Sequence, residues 1–107
     1  MERFFYSVTA TLPDEPTAAR FLAWLAEGHI DDVIKGGAES GQAIRLDSSD
    51  DGIRVEARYL FADRAAYEAY DAGPAIALRA EGAERFGGAG VRFERRTGLV
   101  AYESGNA

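Results

Sequence analysis

The stretch that most constrains the fold is Ile53-Arg54-Val55-Glu56-Ala57-Arg58-Tyr59-Leu60-Phe61. Its odd positions are all apolar, while Arg54, Glu56 and Arg58 occupy even ones. Successive side chains of a strand point to opposite faces, so this segment belongs in a sheet with one buried and one polar face. A strand covered on both sides would read as a continuous apolar run instead. An antiparallel sheet covered on one side is therefore expected, and the rest of the chain must supply the cover.

The other elements fit that requirement. Residues 3–12 read as a strand with Phe4, Tyr6, Val8 and Ala10 on one face. Asp14 is placed to cap a helix, and Pro16 suits its first turn. Ala18, Phe21, Leu22 and Leu25 then predict a helix over about 15–27, buried along that stripe. Past Gly28 a short helical turn runs from Ile30 to Lys35 and stops at Gly36-Gly37. A strand over 42–47 is expected to send Ile44 and Leu46 to the covered face, with Ala43 and Arg45 opposite. Asp47 to Gly52 is a polar turn that closes a hairpin with the strand over 53–62.

Asp63 caps a helix over 64–71, and Gly73-Pro74 breaks it. A further helix over 75–86 is expected to turn Ile76, Ala80, Ala83 and Phe86 inward. The last strand covers 91–96. Thr97-Gly98 either ends it or marks a bulge, and the tail from Glu103 is expected to be loose. The order β-α-β-β-α-β is the ferredoxin-like split arrangement, of class α+β. Right-handed crossovers place both helical segments on one face of a four-stranded antiparallel sheet. A chain of 107 residues is expected to be a single domain, 1–107.

Composition narrows the chemistry. With no Cys, a disulfide scaffold, a thiolate metal site and a Cys nucleophile are excluded. A single His excludes a His-pair metal site. The Asp47 to Gly52 cluster lacks calcium-loop spacing, and neither Gly36-Gly37 nor Gly87-Gly88-Ala89-Gly90 has the phosphate-loop pattern. No metal and no cofactor are expected. The net charge of −6 argues against a nucleic-acid partner, and no apolar run reaches membrane-spanning length. The N-terminus lacks the pattern of a secretory signal, so a cytoplasmic location is expected.

The uncovered sheet face is expected to be basic although the chain is acidic. It gathers Arg45, Arg54, Arg58, Arg92 and Arg96 against Glu56 and Glu94, with Phe5 and Leu60 as its apolar part. Three roles are open to it: a solvated face of Arg–Glu pairs, the interface of a homodimer, or a surface for an anionic ligand.

Five residues are candidates for a site. His29 follows Leu22 and Leu25 on one helical face, where it is either a general acid or base or a C-capping side chain. As a lone His it is also formally able to serve as a proximal haem ligand. Tyr6 and Tyr59 lie on the covered sheet face, and Trp24 lies beside the first helix's apolar stripe. With His29 they could wall a small-molecule cleft, or they could simply fill the core. Arg79 is the fifth, either the anchor of a carboxylate ligand or the partner of a nearby acid.

The pattern also resembles a known family. Its markers are Tyr6-x-Val8, Trp24-Leu25, His29-Ile30, Gly37, Arg45-Leu46, Arg58-Tyr59 and Tyr70. They continue through Gly73-Pro74-Ala75, Leu78-Arg79-x-Glu81-Gly82, Phe86 and Phe93-Glu94-Arg95. Together they resemble DUF4286, a bacterial family of domains of unknown function in the ferredoxin-like, dimeric α/β-barrel superfamily. That superfamily includes cofactor-free monooxygenases of antibiotic biosynthesis, polyketide cyclases and chlorite-dismutase-like haem proteins. The resemblance implies a homodimer in which two sheets face each other, and it brings no established catalytic residues. The expected function is small-molecule binding in a cleft between sheet and helices. The alternatives are a cofactor-independent monooxygenase or cyclase using His29, and a structural or regulatory dimer without a ligand.

Overall fold

The computed structural model describes residues 2–47 and 52–105, so most of the expected Asp47 to Gly52 turn lies outside the described residues. The chain forms β1 (Phe4–Leu12), α1 (Glu15–Trp24), a kinked helical turn (Leu25–His29) and α2 (Ile30–Lys35). There follow β2 (Ser40–Arg45), β3 (Ile53–Phe61), α3 (Arg64–Ala72), α4 (Pro74–Phe86) and β4 (Arg92–Leu99). The strands make one antiparallel sheet in the order β2-β3-β1-β4, which is the ferredoxin-like α+β topology. Both expected caps form. The side chains of Asp14 and Asp63 accept from the amides of Thr17 and Ala66 at 2.9 and 2.8 Å.

Register assigns the faces. Phe4, Tyr6, Val8, Ala10 and Leu12 stand opposite Phe61, Tyr59, Ala57, Val55 and Ile53. These pairs form the covered row, closed by Ala18, Phe21 and Leu25 of the first helical segment, Val33 of α2, and Ala75 and Phe86 of α4. β4 keeps unbroken register with β1 as far as Leu99, so Thr97-Gly98 neither ends the strand nor bulges. The start of the tail is tied down. The Val100 amide donates to the Arg3 carbonyl at 2.9 Å, and Arg3 pairs with Glu103 at 3.2 Å.

Two expectations about facing are corrected. In β2, Gly41, Ala43 and Arg45 stand opposite Tyr59, Ala57 and Val55, so they take the covered row. Ile44 goes to the open face opposite Glu56, and the Leu46 amide bonds to Arg54, whose side chain belongs to the open face. The row passing beneath α2 has no room for a side chain at position 41. A Cβ on Gly41 would lie 2.8 Å from Ile30 Cγ2 and 3.0 Å from the Tyr59 ring. Arg45 instead reaches Glu15 of α1 at 3.0 Å. A one-residue slip exchanges the faces of a strand, and alternation inside a short edge strand does not say which way it goes.

In α4 the buried positions are Ala75, Gly82 and Phe86, with Leu78 and Arg79 half-buried. Ile76 is 65% exposed and Ala80 is exposed; Ala83 is mostly exposed, although it reaches the cavity described below. The inward stripe is hard to see because a glycine and an arginine occupy two of its positions.

The open face is buried at its centre without any helix over it. Ser7 is fully buried and Glu56 is 3% exposed. Arg58 Nε lies 2.7 Å from one Glu56 carboxylate oxygen, and Arg96 Nη2 lies 3.5 Å from the other. Each oxygen of the buried carboxylate is thus paired with an arginine. The hydroxyls of Ser7 and Thr9 have no partner among the described residues.

Candidate functional site

Between the covered row and the helices lies a cavity of about 160 Å³. All five candidate residues, Tyr6, Trp24, His29, Tyr59 and Arg79, are on its wall. The sheet supplies its floor through Tyr6, Val8, Ala57 and Tyr59. Phe21, Trp24 and Leu25 come from the first helical segment, and Arg79 and Gly82 come from α4.

Local sequence explains why this space exists. Gly82 presents no side chain toward α1, and Trp24 fills the gap: a Cβ there would lie 3.2 Å from its ring. Trp24 is then held from three sides. Its indole N–H donates to Glu81 at 2.8 Å, its ring packs edge-on against Phe86, and His29 stacks on it at 3.9 Å between centroids. The helix kinks at Gly28, where the backbone leaves helical values (φ 161°, ψ −32°), and the kink brings His29 back over Trp24.

Polar groups cluster around the tyrosines. Tyr6 stacks on Tyr59 at 5.7 Å and lies 6.2 Å from the Tyr70 ring. Arg79 donates to the Tyr6 hydroxyl at 3.3 Å and pairs with Asp71 at 2.6 Å. Among the described residues, the buried Tyr59 hydroxyl and the buried Nδ1 of His29 have no hydrogen-bond partner. Burial pushes the Tyr59 phenol well above its ordinary range, and burial with Tyr6 nearby pushes Tyr70 up to about 12. Both therefore remain hydrogen-bond donors at neutral pH. Burial pulls His29 below its ordinary value, against the opposing pull of the Glu81 and Asp32 carboxylates, which leaves a neutral imidazole at pH 7.

Two wall residues with polar side chains, Tyr70 and Arg95, were not among the candidates. Arg95 stands opposite Val8 and so occupies the covered row of β4. The signal was present in the period: Arg95 is two residues beyond Phe93 and shares its face. Its charge concealed that placement.

Sheet order and helix placement define an α+β chain with the ferredoxin-like fold. The chain belongs to DUF4286, a family of domains of unknown function, which it matches over residues 3–100. Several solved structures share the fold. A dimeric ferredoxin-like protein from an uncultured marine organism is 18% identical with a TM-score of 0.72, covering 97% of this chain and 100% of that one. A monooxygenase from the gene ActVA-Orf6 of Streptomyces coelicolor, in complex with nanaomycin D, is 17% identical with a TM-score of 0.72, covering 99% and 94%. SnoaB, a cofactor-independent oxygenase from Streptomyces nogalater, is 14% identical with a TM-score of 0.70, covering 96% and 97%. No curated protein matches the chain significantly. Among the described residues, no helix is long and apolar enough to cross a membrane.

Proposed function

We propose that the domain binds a small organic molecule in the cavity between sheet and helices. The observation that carries this reading is the Tyr59 hydroxyl, buried without a partner on an aromatic wall. An unsatisfied buried polar group costs about 1–3 kcal/mol. A ligand that accepts from it recovers that cost, and His29 Nδ1 presents a second such group. The volume limits the guest: an apolar cavity of roughly 150 Å³ holds one benzene ring. The test uses Trp24, the sole tryptophan, whose indole N–H gives a single NMR resonance. Single-ring probes are expected to shift that resonance saturably. Filling the cavity from Ala57 is expected to abolish the response.

The same proposal includes a homodimer in which open sheet faces meet. Its supports are the apolar Phe5, Ile44 and Leu60 on that face, the hydroxyls of Ser7 and Thr9 that lack partners among the described residues, and the dimeric neighbour of the same fold. Sedimentation at micromolar concentration is expected to give twice the chain mass of 11.6 kDa; a monomer mass rejects this part.

A second reading is favoured by the state of His29. A neutral imidazole whose buried Nδ1 has no partner is suited to accept a proton from a bound substrate, as a cofactor-independent monooxygenase or cyclase requires. Under this reading turnover falls as pH drops through the lowered His29 value. His29→Gln is then expected to lose about 10²–10⁴-fold in rate, and unchanged turnover of an identified substrate sinks it.

A further inference from the structure

A ligand site has a sign as well as a size. Among the described residues no carboxylate lies within ion-pair distance of Arg95. Yet Arg95 occupies a covered row, lines the cavity, and sits close enough to Tyr70 to influence its phenol. Its guanidinium is 6.0 Å from the ring of Phe93, which lines the same cavity. Arg79 lines the same cavity; Asp71 is the carboxylate paired with it, and its Nε is buried without a partner. Two guanidiniums thus face one carboxylate at the edge of an apolar space. The Tyr59 hydroxyl adds a neutral donor on the same wall, and no carboxylate is among the lining residues.

We infer that the cavity takes a small organic anion, a single ring bearing a carboxylate. Its ring lies among Phe21, Trp24 and Phe93, and its carboxylate is received by Arg95, Arg79 and the Tyr59 hydroxyl. This rests on the reading of the cavity as a ligand site and adds the class of ligand. A planar carboxylate matches the fork of a guanidinium with two parallel hydrogen bonds. The acidic chain conceals this preference: its net charge is −6, but the wall of this cavity has more cation than anion.

The experiment compares benzoate with toluene, which has the same ring and no charge, by titrating the Trp24 indole resonance. Benzoate is expected to bind at least ~10-fold more tightly, because hydrogen bonds to charged groups outweigh neutral ones. Arg95→Gln is expected to remove about 10-fold of the benzoate affinity and to leave toluene unchanged. Arg95 is exposed on an edge strand, so the variant retains the fold. Tyr59→Phe, of the same shape, is expected to weaken benzoate in the same direction. If toluene binds as well as benzoate, or Arg95→Gln leaves benzoate unaffected, the anion preference is overturned and the ligand site stands. If neither probe shifts the resonance, the ligand-site reading fails together with it.

Discussion

Phe61→Ala is expected to cost about 3–5 kcal/mol, a large share of the roughly 5–15 kcal/mol that holds a domain together. Phe61 is fully buried, and it ends the covered row of β3 opposite Phe4. Its ring meets Tyr67 edge-on at 5.3 Å and Tyr70 at the same separation, so it is the surface on which α3 rests. Phe4 in turn packs on Tyr67 at 5.0 Å. Close-packed rings on a sheet leave few neighbours free to collapse into the space a deleted phenyl leaves, which puts the cost near the upper end of the range. Urea unfolding followed by circular dichroism measures it. Ile76→Ala is the matched control: at 65% exposed, Ile76 should change stability by less than ~0.5 kcal/mol. A loss at Phe61 no larger than at Ile76 contradicts the assignment of this region as core.

Ala57→Ile is expected to separate binding from folding. Ala57 is 2% exposed and lies on the cavity floor, with Val8 and Ala43 opposite it on the neighbouring strands. The β-branched side chain suits a strand, and it extends into space that holds little more than one ring. Probe affinity is expected to fall by at least ~100-fold. Filling a void commonly adds about 0.5–2 kcal/mol, so the melting temperature should hold or rise by several degrees. Titration of the Trp24 resonance together with a thermal melt gives both readings. A folded variant that binds single-ring probes as the parent does places the ligand somewhere other than this cavity.

Much of the architecture was legible because it depends on local rules. Asp14 and Asp63 announce helix starts through a side chain that satisfies an amide three residues on. The alternation from Ile53 to Phe61 announces a half-covered strand. Tyr6, Trp24, His29 and Tyr59 were legible as candidates because their spacings put them on or beside the covered side, whereas Arg79 was a candidate through its charge alone. Their convergence on one cavity depended on distances no spacing carries. Arg95 and Tyr70 completed the wall, and a residue's charge or a helix's rotation hid each of them.

The covered face of β3, the capped starts of α1 and α3 and the order of elements were determined by the sequence itself, since each follows from a backbone period or a turn preference acting over a few residues. The facing of β2, the inward side of α4 and the cavity were decided by tertiary structure. Gly41 had to pass beneath Ile30 and Tyr59, and Trp24 had to lie on Gly82. Those are excluded-volume constraints between segments far apart in the chain. They act through the absence of a side chain, and hydrophobic periodicity registers only the side chains that are present.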